Sequence, residues 1–159
     1  MKASLRRLIL FVSGLLVLTV CGVLVQPLLA DGIPPDPQIP PRHMISPEEL
    51  NQLLKAQQPL VLQIGPRALY DQAHIPGAEF MGATSEPAGM NALLTRVKSE
   101  PKDKLIIVYC GCCPWKNCPN VHPAYRELRN LGYTNVRVLY IAHNFGVDWA
   151  DKGYPTAKG

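Results

Sequence analysis

The sequence predicts an α/β domain, a mainly parallel sheet with helices on both faces. Three observations predict it. Short apolar runs of strand length alternate with segments whose apolar residues recur every three or four positions. One run, "LIIVY" at residues 105 to 109, is apolar at every position, as a central strand covered on both faces must be. The breaks between segments carry turn residues, such as Pro76-Gly77, and a helix-stopping Gly132. A chain of 159 residues with 47% apolar residues can bury one core without help from its cysteines.

The elements follow in order. "SPEELNQLLKA" opens with a capping box: Ser46 accepts from the amide of Glu49, Glu49 reaches back, and Pro47 takes the first helical position. Leu50, Leu53 and Leu54 then mark one apolar face. "PLVLQI" reads as a strand, and "AEFMG" as another after the Pro-Gly turn. Met90, Leu93, Leu94 and Val97 recur at helical spacing, and "LIIVY" follows as the central strand. Val121, Ala124, Leu128 and Leu131 mark a helix, "VRVLYI" a strand, and "FGVDWADKG" a short last helix with Trp149 in the core. No internal repeat is present.

Residues 1–30 read as an export segment. Lys2, Arg6 and Arg7 form a positive start, and Leu8 to Val25 is an uncharged apolar run of 18 residues. A cleavage after Ala30 and an uncleaved membrane tether through residues 8–25 both fit, because the run is just long enough to span a bilayer. In either case the positive flank stays inside and the domain is expected outside the cytoplasm, periplasmic or anchored to the membrane. Cys21 belongs to the apolar run. Residues 31–43 contain "DGIPPDPQIPPR", five prolines in twelve residues, and read as an extended linker to a domain over 44–159. The formal charge of +4 falls to about +1 beyond the export segment, so nothing in the charge balance points to nucleic acid.

Chemistry concentrates in "VYCGCCPWKNCPNVHPAY", residues 108–125, which holds four of the five cysteines. Cys110 directly ends the central strand. In parallel sheets the ligand site lies beyond the carboxyl ends of the strands.

Three segments resemble a single-domain rhodanese, a sulfurtransferase-type domain. "ALYDQAHIPGAEF" is similar to the family's acidic-residue-then-His-Ile-Pro-Gly-Ala signature, "KLIIVYC" to the strand that delivers its cysteine, and "HNFGVDWADKGYP" to its closing element. The likeness spans roughly residues 44 to 157 and implies a rhodanese-like fold. It departs in two places. Gln63, Ile64 and Gly65 stand where the family has Asp-Val-Arg, with Arg67 as a nearby substitute. The loop from Gly111 to Asn120 is longer than the family's short cradle and carries three additional cysteines.

The resemblance implies that Cys110 is a nucleophile. It would take sulfur as a persulfide from a small sulfur-containing anion such as thiosulfate and pass it to an acceptor thiol, cyanide or a redox partner protein. Backbone amides and the helix start near Val121 would stabilise its thiolate. Gly111, Lys116 and Trp115 are the expected substrate-binding residues, Lys116 being the loop's one formal cation. This reading requires no cofactor.

Cys112, Cys113 and Cys118 remain open between three roles. In an exported domain they can form a disulfide, with Cys118 the better partner because adjacent cysteines bond only with strain. They can resolve an oxidised or sulfurated Cys110. They can also bind metal with His122, and clustered thiolates suit copper(I) better than zinc, whose paired C-x2-C spacing is missing. The alternatives to sulfur transfer are therefore a copper or zinc binding module, or a thiol-disulfide redox protein. Phosphatase chemistry is excluded, because residues 111 to 120 contain no arginine to clamp a phosphate. His74 is expected to shape the turn before Pro76-Gly77, with Asp71 anchoring it.

Overall fold

A computed structural model describes residues 32–159. The export segment and Cys21 lie outside the described residues. Among the described residues no helix is long and apolar enough to cross a membrane.

Five strands form one sheet: β1 (Met44–Ile45), β2 (Leu60–Gln63), β3 (Glu79–Phe80), β4 (Ile106–Tyr109) and β5 (Val136–Leu139). Their order is β1-β5-β4-β2-β3, and every pairing is parallel. The all-apolar strand is accordingly central: β4 lies between β5 and β2 with both faces covered. Side chains alternate across it. Ile106 and Val108 pack with Leu93 and Val97 of α3 (Pro87–Val97) and with Ala124 and Leu128 of α4 (Val121–Asn130). Ile107 and Tyr109 pack on the other face with Leu50 of α1 (Pro47–Ala56), with Trp149, and with Phe145 of α5 (Phe145–Asp148). Burying each large apolar side chain contributes about 1.5–3 kcal/mol, so the two layers account for a stable fold with all described cysteines reduced.

The capping box of α1 forms as the spacing predicts, with Glu49 N donating to Ser46 Oγ at 3.1 Å and Ser46 N to Glu49 Oε2 at 2.8 Å. Three features go beyond the pattern. Strand β1 is too short to show a period, α2 (Arg67–Gln72) lacks a buried face, and Trp115–Asn117 adds a 3-10 turn inside the cysteine loop. The predicted last helix divides into α5 and a 3-10 turn over Ala150–Lys152, ended by Gly153 at φ 75°.

Two anchors set the frame around β4. Ile75 N donates to Tyr109 Oη at 3.1 Å, tying the His-Ile-Pro-Gly turn to the central strand. His74 shares its backbone with Ala157 and its Nδ1 with the carbonyl of Tyr70, a structural role in the turn. From Asp36 onward the proline-rich segment lies against the domain. Ile39 is fully buried, and Asp36 Oδ1 accepts from the amides of Gln38 and Ile39.

Candidate active site: a thiol cluster at the end of β4

The carboxyl end of β4 delivers Cys110 into the middle of the sheet's upper edge, with 3% exposure. Gly111 then turns the chain at φ 77°, and a Cβ there would stand 2.8 Å from Cβ of Phe145. Only glycine combines that left-handed backbone with so close an approach. Phe145 N donates to the Gly111 carbonyl at 3.0 Å, and Trp115 N to that of Ala142 at 3.2 Å, so the loop is pinned to the segment entering α5.

The thiols converge. Sγ of Cys110, Cys112 and Cys118 lie within 4.8 Å of one another. Cys112 Sγ is 3.1 Å from Cys110 Sγ and 3.1 Å from Cys113 Sγ. Cys113 and His122 stand outside the three-sulfur group. His122 Nε2 instead bonds Asp36 Oδ2 at 2.9 Å, which draws it into a different cluster. The sulfurs that could hold a soft cation are therefore Cys110, Cys112 and Cys118, a set that substitutes the strand-end cysteine for Cys113 and His122 of the sequence-based set.

The electrostatics divide the cysteines. The first amides of α4, from Asn120 and Val121, point to Cys118, whose thiol is lowered to about 6; its hydrogen bond from Cys110 is the largest cause. Cys110 is pushed up by that same hydrogen bond and then by burial. Burial, followed by the contact with Cys112, raises Cys113 to about 12. The helix start thus serves Cys118, where the sequence pointed it at Cys110. What Cys110 receives is the Cys112 backbone N–H and the side chain of Asn120, whose Nδ2 donates to Sγ at 3.2 Å.

Asn120 is the residue that sequence reasoning missed. It is 2% exposed and occupies the N-cap position of α4, yet its side chain makes no cap. Its Oδ1 accepts from Ser85 N at 2.9 Å and its carbonyl from Thr84 Oγ1 at 2.8 Å, fixing Nδ2 toward the sulfur. An asparagine just before a helix gives no sequence signal beyond an ordinary cap. Gln63 holds the position of the family's aspartate: Nε2 reaches the Cys110 carbonyl at 3.4 Å, and Oε1 is buried without a partner. Gly65 leaves no space, because a Cβ there would meet Cys110 Sγ at 3.0 Å. Arg67 does not replace a lost arginine at the site; its guanidinium lies over the Phe80 ring at 3.8 Å and pairs with Asp71 at 3.4 Å.

A cavity of about 490 Å3 opens beside the loop, lined by Gly111 and Cys112 together with Leu69, Asn144, Phe145 and Asp151. Of the expected substrate-binding residues Gly111 lines it, while Lys116 and Trp115 do not. Lys116 is exposed. Trp115 packs against Tyr140 at 5.1 Å between ring centroids and donates from Nε1 to Asp36 Oδ2 at 3.0 Å, so it holds the loop down.

Comparison with known proteins agrees with the fold. No curated protein matches the chain. Among solved structures, the rhodanese-like domain of the Alr3790 protein from Anabaena sp. is similar, with 22% identity over 74% of this chain and 80% of that one, at a TM-score of 0.55. The BH2092 protein from Bacillus halodurans follows with 19% identity over 73% and 77%, at 0.54. A structure of an EanB variant with ergothioneine covalently linked to a persulfide cysteine has 21% identity and a TM-score of 0.54; the likeness covers 72% of this chain and 28% of that one. The Rhodanese-like domain family matches residues 46–140, which include strands β2 to β5 and the whole cysteine loop, and the chain belongs to that family.

Proposed function

We propose that this domain carries sulfur as a persulfide on Cys110, taking it from a small sulfur donor and passing it to a thiol or cyanide, outside the cytoplasm. The observation that carries the reading is the seat of Cys110 Sγ. It stands at the end of the central strand, 3.2 Å from the donating amide of Asn120, with a cavity opening at the adjoining Gly111 and Cys112. The export segment of residues 1–30 supports the location.

The thiolate of Cys110 attacks the outer sulfur of thiosulfate, the donor S–S bond breaks, and sulfite leaves with the electron pair. An acceptor thiolate or cyanide then attacks the outer sulfur of the persulfide and returns Cys110 as thiolate. At rest the charge of the pair sits on Cys118. The reactive form arises when Cys110 gives up its proton within the thiol group, leaving an anion held by Asn120 Nδ2 and the Cys112 amide. The cavity contains Asp151 and neither Lys nor Arg, so an alkyl persulfide suits it better than a dianion.

The test is sulfur transfer to cyanide, read as thiocyanate, with thiosulfate and with a small alkyl persulfide as donors. Turnover that persists with chelator and disappears in Cys110→Ser supports the reading. Absence of turnover with both donors, or equal turnover in Cys110→Ser, overturns it.

A further inference from the structure

Resting on that persulfide reading, we propose that Cys118 discharges the Cys110 persulfide internally, forming a Cys110–Cys118 disulfide and releasing the carried sulfur as hydrosulfide. The Cys118 thiolate attacks Cys110 Sγ. The persulfide S–S bond breaks as the new S–S bond forms, and the outer sulfur departs with the electron pair and its own proton as HS−. The two cysteine sulfurs are oxidised together by two electrons, and the outer sulfur is reduced to sulfide. An external dithiol resets the pair by exchange.

The arrangement selects Cys118 over its neighbours. Its Sγ lies within 4.8 Å of Cys110 Sγ. It is 8% exposed, packs in the core layer under α4, and does not line the cavity. The amides of Asn120 and Val121 aim at it, so fixed dipoles face its sulfur. Cys112 stands 3.1 Å from Cys110, but it sits two residues away across the Gly111 turn, where a disulfide would be strained, and it lines the cavity. Cys113 contacts Cys112 and stands apart from Cys110. The direction of attack follows from the leaving group. Attack on the outer sulfur would only move the persulfide to Cys118, whereas attack on Sγ expels a small, weakly basic anion and joins the two cysteines.

The experiment treats the reduced full-length chain under anaerobic conditions with thiosulfate and, separately, with an alkyl persulfide. Donor is then removed, and hydrosulfide, intact mass and peptide maps are read. The expected wild-type result is one equivalent of hydrosulfide, a chain lighter by two hydrogens, and a mapped Cys110–Cys118 link. Loaded at alkaline pH, where Cys110 ionises without Cys118, Cys118→Ser and Cys118→Ala are expected to keep one added sulfur on Cys110, with hydrosulfide release down by about tenfold or more. A wild-type chain that retains the added sulfur on either cysteine, or links Cys110 to Cys112 or Cys113, overturns the proposal while leaving the persulfide reading intact. If neither donor adds sulfur to any form and no hydrosulfide appears, the persulfide reading itself fails. The wild-type map decides the matter even if the Cys118 variants do not fold.

Discussion

Asn120 spends its side chain on a sulfur instead of on its own helix, and that choice has a measurable consequence. Its Nδ2 is the one side-chain amide donating to Cys110 Sγ among the described residues. A hydrogen bond to a charged group contributes about 1.5–3 kcal/mol, so Asn120→Ala is expected to slow persulfide formation roughly 10- to 100-fold. Single-turnover loading, with circular dichroism to confirm folding, checks this; Asn120→Gln or Asn120→Ser recovering part of the rate would separate the donor from the loop contacts to Thr84 and Ser85.

The cysteine pair sets the pH dependence. One ionisation of the cluster falls at about 6, on Cys118, and in the proposed reaction the attacking Cys110 anion is a proton-shifted form of the same charge state. Loading is therefore expected to rise with pH to a plateau above about 6. In Cys118→Ser the midpoint moves to alkaline pH, because burial still holds Cys110 up. A loading rate measured against pH in both proteins gives the comparison, and an unchanged midpoint would contradict the assignment of the charge to Cys118.

At the scale of elements, the cysteine loop is held from two directions. Hydrogen bonds to the segment before α5 fix one side. Asp36, 79 positions from Trp115 in the chain, fixes the other through Trp115 Nε1 and His122 Nε2, with its side chain 7% exposed. Burial pushes its carboxyl up, but the bonds from His122, the Gln38 amide and Trp115 outweigh that and leave it below its ordinary value. Asp36→Ala is expected to cost about 2–3 kcal/mol in urea unfolding and to make the loop more readily alkylated. Since the folded pKa is depressed, the stabilisation is complete above 3.8 and is lost as pH falls through the lower folded value. The wild-type advantage over Asp36→Ala should therefore shrink in acid.

Legibility in the sequence followed the range of the interactions. Elements with a periodic face or a continuous apolar run, such as α1, α4 and β4, were readable because their signal is local. So was the place of Cys110 at the end of β4, since a strand end needs no partner to be recognised. The grouping of Cys112, Cys113, Cys118 and His122 was not readable. It depends on where Gly111 and Pro119-Asn120 turn the loop, and His122 is drawn away by an aspartate in the proline-rich segment. That segment's composition reads as a spacer, while two residues, Asp36 and Ile39, bind it to the domain. Nothing in the spacing alone distinguishes those two from their neighbours.

For the whole molecule, five parallel strands place four thiols at the carboxyl end of the central strand, and two of them, Cys110 and Cys118, are part of the core layer under α4. No disulfide is needed to hold that layer together. The departures from the family's pattern, a glycine at residue 65 where an arginine is usual and a helix start turned to Cys118, surround Cys110 and leave the fold unaltered. The measurement that tests this account most directly is the intact mass of the reduced domain, purified without chelator, before and after one equivalent of donor, beside Cys110→Ser. The account predicts sulfur uptake that requires Cys110, seen as an added sulfur removable by cyanide or, once Cys118 has acted, as hydrosulfide and a disulfide. A native mass carrying a metal ion, lost on denaturation, with no sulfur taken up or released, would contradict it.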